Sequence, residues 1–426
     1  MHRSTASRQR GAVIVTACLV LLFLLGFMGI ALDFGRAFIV RSELQSAVDS
    51  CALGAAQELD GATDAITRAV SAGLTSGNAN RVYFQSSTWG GAGELTPSDL
   101  VFRDASFVQT TLPAQARYAE CRHSQANGQP WLLQALAAFS SDPSLNGPQS
   151  VYARAVATRS SAQTTCPIPV ALKPKTSSSG PPNYGYAVGE WVTMLTTQSG
   201  SLQPGYIGWA NLDGSNSASE TVAEMNGHCG TRVGDTVGTP GTQSTVVDNW
   251  NYRFGIYKNS GDPSVTIERP DFTGYAYTGK NWPSAFNAFD GPTPAGADAT
   301  AANYATKRTT WASCADTGTR VRGGAGSCEG ITGLSLNSFQ KLATPGNTSG
   351  GFRQYGVSRR LVLAPVVNNQ NKIVDYACMF MLQPLSLPMA NTQLEFRGNA
   401  GAVGSPCTTN GLAGGTAGPL VPVLVR

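Results

Sequence analysis

The residues with the most recognisable chemistry lie in the segment Asp213-Gly214-Ser215-Asn216-Ser217. A carboxylate followed at alternate positions by two hydroxyls offers the oxygen ligands that Mg²⁺ prefers, with water completing the coordination. Asp213, Ser215 and Ser217 are therefore candidate metal ligands. Asp, Gly, Ser and Asn are equally typical of an ordinary turn. One short motif separates the two interpretations only weakly, so the turn is the simpler prediction.

Catalytic chemistry finds little support elsewhere in the chain. The three histidines are His2, His123 and His228, and neither a G-x-S-x-G motif nor an H-E-x-x-H motif occurs. We therefore predict that the protein is not an enzyme and uses no cofactor. The charged residues make up 13% of the chain and form no basic patch, so the sequence predicts no nucleic-acid partner.

The N-terminal segment has the composition of a transmembrane helix. Residues 12–32 include no charged side chain, and about 20 apolar residues suffice to cross a bilayer. Arg3, Arg8 and Arg10 precede this run, and positive flanks stay in the cytoplasm. The sequence predicts a cytoplasmic tail at residues 1–10, a transmembrane helix at 11–32 and the remainder outside. The alternative, a cleaved signal peptide, fits poorly because the apolar run is long and Ile30–Asp33 is a poor cleavage site.

The helix should continue as a stalk over residues 33–60, because no proline occurs before Pro97. Apolar residues recur there at helical spacing: Phe34, Phe38, Leu44, Val48, Ala52, Ala55 and Leu59. This stripe packs either on the protein's own globular domain or on neighbouring subunits, and the sequence leaves both alternatives open.

The remaining chain predicts an α+β fold that becomes β-rich towards the C-terminus. Residues 61–165 form the α+β part, with helices over 62–74 and 130–136 and strands over 82–84, 102–108, 116–121 and 150–157. Residues 166–426 form the β-rich part, with strands at 190–196, 206–212, 252–257, 264–268, 359–367 and 373–382. The last two strands flank the Asn-rich segment 368–371, which suits a hairpin.

Eight cysteines lie beyond Cys18, which falls inside the membrane span. They are Cys51, Cys121, Cys166, Cys229, Cys314, Cys328, Cys378 and Cys407. An even number on the oxidising side of a membrane predicts disulfides. Closeness in sequence favours the pairs Cys314–Cys328 and Cys378–Cys407.

Residues 10–56 also carry a longer pattern. It consists of a basic residue and glycine, the apolar span, then D-x-G-R and R-x-x-L-Q-x-A-x-D-x-x-A-L-x-A-A. This segment resembles the N-terminal Tad domain of the TadE/TadG-like group of Flp pilus-assembly proteins. Where that family usually has a small aliphatic residue, this chain has Cys51, which suggests a Cys51–Cys121 disulfide.

The resemblance implies a single-pass protein of the bacterial inner membrane that serves as a structural or assembly component of a Flp-type, tight-adherence pilus. Its partners would be the lipid bilayer and pilus or pilus-machinery subunits that pack on the stalk. The candidate contact residues are Asp33, Gly35, Arg36, Arg41, Leu44, Gln45 and Asp49. Asp33 and Arg36, one turn apart, form either a local ion pair or a register contact with a neighbouring helix.

The competing hypothesis is a surface adhesin that binds a ligand through residues 184–426. The pattern D-x-S-x-S at Asp213–Ser217 resembles the first segment of the metal-ion-dependent adhesion site of von Willebrand A domains, which some TadG-like proteins carry. Pilins have glutamate at the fifth mature position, whereas cleavage after Gly11 would place Thr16 there. This difference favours an uncleaved assembly factor.

Overall fold

The computed structural model describes residues 9–80, 94–128, 149–197, 201–281, 320–343 and 351–425. The chain divides into two compact units. The first, which we call the N-terminal unit, comprises residues up to Arg159 together with those from Pro422 onward. The second, the barrel unit, comprises Ser160–Val421.

One uninterrupted helix, α1, runs from Gln9 to Gln57. At 1.5 Å rise per residue it is about 70 Å long. The absence of proline and the abundance of Ala and Leu explain its continuity. Gly61, at φ +81°, adopts a conformation that few other residues tolerate and reverses the chain beyond α1. The prediction of a long N-terminal helix that continues without a break is confirmed.

The N-terminal unit contains a second helix and a sheet. Helix α2 spans Ala65–Asn78, and the strands are β1 (Leu100–Arg103), β2 (Tyr118–Gly128), β3 (Gln149–Ser161) and, from the C-terminus, β12 (Leu420–Leu424). They lie in the order β1-β2-β3-β12. The predicted strand 102–108 stops at Arg103, because Asp104 Oδ1 accepts the N–H groups of Ser106 and Val108 in a turn. The predicted elements at 82–84 and 130–136 lie outside the described residues.

The barrel unit is built on a closed six-stranded barrel. Its strands are β4 (Val170–Leu172), β5 (Trp191–Leu195), β6 (Ile207–Trp209), β9 (Leu361–Val367), β10 (Ile373–Met381) and β11 (Thr392–Asn399). They close in the order β10-β11-β5-β6-β4-β9. The pairs β5–β6 and β4–β9 are parallel and the other four are antiparallel. The hairpin predicted around residues 368–371 joins β9 to β10, with Asn371 at φ +55°.

Two predicted strands are wrong. Residues 252–257 contain the end of helix α4 (Val247–Tyr252) and the two-residue strand β7 (Ile256–Tyr257), which pairs with β8 (Lys341–Leu342). The helix is favoured because Asn251 exchanges two hydrogen bonds with the backbone of Leu385, at 3.0 and 2.7 Å. Residues 264–268 are a turn and a short 3-10 helix, since Asp262 Oδ1 accepts the N–H of Ser264.

Short helices and buried aromatic residues complete the barrel unit. The helices are α3 (Ala218–Met225), α5 (Cys328–Thr332) and α6 (Phe352–Tyr355). Trp209 and Trp250 meet edge to face in the core, with ring centroids 6.1 Å apart. Arg360, fully buried, lies between the rings of Phe254 and Phe380 at 4.4 and 4.5 Å. The α+β, β-rich class predicted from the sequence is confirmed.

Three disulfides join pairs of described cysteines, and each lies within one unit. Cys51–Cys121 joins α1 to β2, while Cys166–Cys229 and Cys378–Cys407 lie in the barrel unit. The first and third are the pairs that the sequence suggested. The suggested Cys314–Cys328 pair involves Cys314, which lies outside the described residues.

Candidate membrane-anchoring and assembly helix

The first half of α1 presents apolar side chains on all sides. Eleven of them have exposed fractions between 53% and 68%: Val13, Ile14, Val15, Leu19, Val20, Leu21, Phe23, Leu24, Phe27, Met28 and Leu32. Among the described residues, α1 is the helix whose length and composition suffice to cross a membrane. An apolar surface of this extent on a protein in water would promote association.

The second half of α1 packs into the core of the N-terminal unit. Leu44, Val48, Ala52 and Ala55 are completely buried there, and Leu59 is 4% exposed. Phe34 and Phe38, at the start of the same stripe, are 57% and 73% exposed. Intramolecular packing therefore accounts for the stripe from Leu44 onward, and the two phenylalanines project away from the unit.

Glycines allow α1 and α2 to approach closely. A Cβ added at Gly77 would lie 2.9 Å from Cys51 Cβ and 3.1 Å from the carbonyl oxygen of Ala47. A Cβ at Gly73 would lie 3.1 Å from Ala55 Cβ, and one at Gly54 would lie 2.6 Å from Ser76 Oγ. Because Gly73 and Gly77 are one turn apart on α2, they form a smooth strip against the alanine-rich face of α1.

A polar network fixes α1 on the sheet. Gln45 Nε2 donates to Asp49 Oδ1 at 2.7 Å and to the carbonyl oxygen of Arg154, on β3, at 3.1 Å. The side chain of Arg154 donates to Glu120 at 2.7 Å, and Arg103 donates to the other oxygen of Glu120 at 2.5 Å. Helix α1 therefore bonds directly to the backbone of β3, and through Arg154 and Glu120 the network extends to β2 and β1.

Glu120 is 2% exposed, and it is charged because two guanidinium groups hold it. Desolvation alone would raise the pKa of this carboxyl, but the hydrogen bonds from Arg154 and Arg103 outweigh it and lower the pKa below its ordinary value. Removal of Arg103 or Arg154 would leave the buried carboxylate of Glu120 with one guanidinium partner instead of two, which is destabilising.

Arg68 joins the start of α2 to the end of α1. It bonds to Glu58, to Asp60 at 2.6 Å and to Asp64 at 3.1 Å. The hydrogen bond to Asp60 is the largest influence on the pKa of Arg68, and together the three carboxylates raise it. The cluster fixes the connection between the two helices.

The candidate contact residues fall into two groups along α1. Leu44 is fully buried, and Gln45 and Asp49 bond within the N-terminal unit. Asp33, Gly35, Arg36 and Arg41 precede Leu44, and each of these four residues is partly or fully exposed. A Cβ at Gly35 would meet no atom within 4 Å. The structure therefore does not bring the seven residues together as one surface.

Sequence reasoning missed the groups that receive α1: Glu120, Arg103, Arg154, Gly73 and Gly77. The four-residue spacing of the two glycines in an otherwise helical segment was a usable signal, because glycine in a helix interior is costly unless close packing requires it. No comparable spacing in the sequence indicated the ion cluster of Arg103, Glu120 and Arg154, because its members come from three different strands.

The D-x-S-x-S segment forms a hydrogen-bonded turn before α3. Asp213 Oδ1 accepts the N–H of Ser215 at 2.9 Å, Ser215 Oγ donates to Glu220, and Ser217 is the residue at the N-cap position of α3. Within the described ranges, no group of three or more His, Cys, Asp or Glu residues is placed to hold a metal. A magnesium site at Asp213, Ser215 and Ser217 stays a prediction.

Comparison with known proteins connects this helix to a family. Residues 11–58 match the model of the Flp pilus-assembly TadE/G-like family, called Tad. The matched range begins two residues inside α1 and ends one residue beyond it, and this similarity supports a role related to Flp pilus assembly. Neither the curated proteins nor the solved structures include a significant match to the chain.

Proposed function

We propose that the protein is a membrane-anchored structural component in the assembly of a Flp-type pilus. Residues 11–32 of α1 cross the inner membrane, residues 1–10 lie in the cytoplasm, and the stalk carries both folded units outside. The Tad match at residues 11–58 supports the pilus-related role. The arginines before the span support the orientation.

The single observation that carries this proposal is the change of environment along α1. Its N-terminal half exposes apolar residues, whereas its C-terminal half is buried in the N-terminal unit from Val40 onward. A bilayer covers the first half without any further protein. The second half is held by packing, a disulfide and the Gln45 network, so a load on the helix is transmitted to the folded unit.

Disulfides support a location outside the cytoplasm. Cys51–Cys121, Cys166–Cys229 and Cys378–Cys407 all lie beyond residue 32. Disulfides persist in oxidising compartments and are rare in the cytosol. Residues 33–426 therefore belong on the outer side of the membrane that α1 crosses.

The partners are pilus or pilus-machinery subunits that contact the stalk near the membrane surface. Asp33, Gly35 and Arg36 lie on the part of α1 that precedes Val40, the first buried residue of the stalk, and Arg41 is exposed next to it. Gly35 provides a point of close approach for another helix. Charged residues on the same two turns would then set the register of that contact.

Fractionation of the native host tests the proposal. Carbonate-washed membranes, sheared surface filaments and culture supernatant are compared by immunoblot, and cells that lack the gene are examined for pili. Full-length protein in the membranes, with loss of pili on deletion, is the expected result. A shortened soluble form in the supernatant, or normal pili without the protein, would refute the proposal.

A further inference from the structure

The apolar surface of α1 extends beyond the charge-free segment of the sequence. Exposed large apolar side chains occur from Val13 to Ile39, and this stretch of helix is about 40 Å long at 1.5 Å rise per residue. The hydrocarbon core of a bilayer is about 30 Å thick, whereas the core and the headgroup layers together measure about 40–45 Å. The length of the apolar surface therefore matches the whole bilayer rather than its core alone.

Four phenylalanines form one face of this surface, which we call the phenylalanine face. Their side chains are 57–73% exposed: Phe23, Phe27, Phe34 and Phe38. Spacings of four and seven residues place all four within about 60° of one another around a helix with 3.6 residues per turn. The phenylalanine face therefore continues without interruption from the transmembrane segment into the stalk.

The charged residues at the start of the stalk lie on a different side of α1. Asp33 and Arg36 are half-buried, and helical spacing places them on the side of Val40 and Leu44, which pack in the N-terminal unit. Phe34 lies about 100° away from Asp33 around the helix. Lipid can therefore cover the phenylalanine face without enclosing either charge.

The exposed surface of α1 becomes polar at the residue where burial begins. Val40 is the first buried residue of the stalk, and the next exposed residues are polar: Arg41, Ser42 and Ser46. Arg41 follows Phe34 by seven residues and so continues the phenylalanine face. Side chains in a helix lean toward its N-terminus, which on α1 is the direction of the bilayer. The guanidinium group of Arg41 is therefore placed to donate to a lipid phosphate.

The side chains of the phenylalanine face favour lipid over a second protein helix. Close helix pairs in membranes have small residues at the contact, whereas phenylalanine is among the largest side chains. An exposed apolar surface in water promotes association. The headgroup layer removes Phe34 and Phe38 from water without another protein.

We propose that residues 33–39 lie in the headgroup layer of the bilayer and that the N-terminal unit begins directly at the membrane surface. Phe34 and Phe38 contact lipid in this layer, and Arg41 binds a phospholipid phosphate. No part of α1 then lies in water between the bilayer and the unit. The inference rests on the membrane anchoring in the proposed function and adds the depth at which the chain is held.

Collision measurements on the spin-labelled full-length protein test this depth. In a Cys18→Ala background, Val20→Cys, Phe38→Cys and Ser46→Cys each carry one nitroxide, in vesicles of phosphatidylethanolamine and phosphatidylglycerol in equal amounts. The ratio of accessibility to oxygen over accessibility to a water-soluble nickel chelate rises with depth in the bilayer. We expect the ratio for Phe38→Cys to exceed that for Ser46→Cys roughly fivefold or more, because only the first position lies in the headgroup layer.

The outcomes separate this inference from the anchoring on which it rests. A high ratio for Val20→Cys with equal ratios for Phe38→Cys and Ser46→Cys would overturn the inference alone. Equal ratios at all three positions would overturn the membrane anchoring as well. Spin–spin broadening for Phe38→Cys that disappears on dilution with unlabelled protein would show a second copy on the phenylalanine face, and it too would overturn the inference.

Charge reversal tests the role of Arg41 with the same label at residue 38. Arg41→Glu should lower the accessibility ratio about twofold or more, because lipid phosphates repel a carboxylate at this level. Arg117→Glu is the matched control. The register of β2 with β3 places Arg117 near Arg159, which donates to the carbonyl oxygen of Leu59. This end of α1 is about 25 Å from Arg41 along the helix, beyond the Debye length of about 10 Å. Equal ratios in the two variants would exclude the phosphate contact.

Discussion

Replacing Gly77 by alanine should loosen the contact between α1 and α2. The added methyl group would lie 2.9 Å from Cys51 Cβ, 3.1 Å from the Ala47 carbonyl oxygen and 2.5 Å from Leu95 Cδ1. The leucine can move, but the first two atoms belong to the backbone or to a disulfide-linked residue. The helices must therefore separate by several tenths of an ångström, and the alanine-rich interface between them opens.

The expected magnitude combines two opposing effects. Overpacking of a buried contact costs about 1–3 kcal/mol, and the upper part of that range, about 2–3 kcal/mol, applies because two of the three blocking atoms cannot move freely. The better helix propensity of alanine returns about 1 kcal/mol. We expect a net destabilisation of about 1–2 kcal/mol, which corresponds to a roughly 5- to 30-fold change in the opening equilibrium.

Hydrogen exchange followed by mass spectrometry measures this change in the full-length protein in detergent. Amides of Ala65–Asn78 should exchange roughly 5- to 30-fold faster in Gly77→Ala. Gly26→Ala is the matched control, because it lies in α1 and its Cβ would meet no atom within 4 Å. Unchanged protection of α2 in Gly77→Ala, or an equal loss in Gly26→Ala, would refute the close-packing argument.

Three other perturbations test the N-terminal unit. Replacing both Cys51 and Cys121 by alanine should lower the free energy of unfolding by about 4 kcal/mol, since the bridge spans 70 residues; a urea titration that shows no loss would contradict this. The thermal midpoint should fall as pH decreases below about 4.5, because Glu120 has a lowered pKa and its stabilisation is lost on protonation. Glu120→Gln should flatten that dependence, and an unchanged pH profile in this variant would exclude Glu120 as the cause. Asp33→Ala should reduce pili per cell more than protein abundance, as judged by filament counts and immunoblot, and equal losses would refute a register contact.

Several elements of both units follow from local sequence. The continuity of α1 follows from its apolar composition and from the absence of proline before Pro97, and the β9–β10 hairpin from the asparagines at 368–371. Closeness in sequence was sufficient to suggest the Cys378–Cys407 bridge. The helix and the hairpin are each determined by adjacent residues, and the disulfide joins cysteines that are only 29 residues apart.

The barrel unit depends on contacts that a local pattern does not encode. Strands β4 and β6 have three residues each, too few to show an alternation. Residues 252–257 were predicted as one strand but contain the end of α4 and the short strand β7, because Trp250 and Asn251 on α4 bond to the backbone of residues 383–385. A polar cavity of the barrel unit combines segments near residues 166, 225, 253, 360 and 407, and only the fold brings these together.

The segment that matches the Tad model has two parts, which lie in different environments along α1. Val40, which is 3% exposed, begins the part of α1 that packs on the N-terminal unit. From Leu44 to Ala56 the small and polar residues are explained by the chain's own fold, through close packing on the glycines of α2 and the hydrogen bonds of Gln45. The pattern D-x-G-R at Asp33–Arg36 lies before that boundary, on turns of α1 that are partly or fully exposed. The proposed contact with other subunits therefore concerns Asp33, Gly35 and Arg36, because the stripe from Leu44 onward is buried.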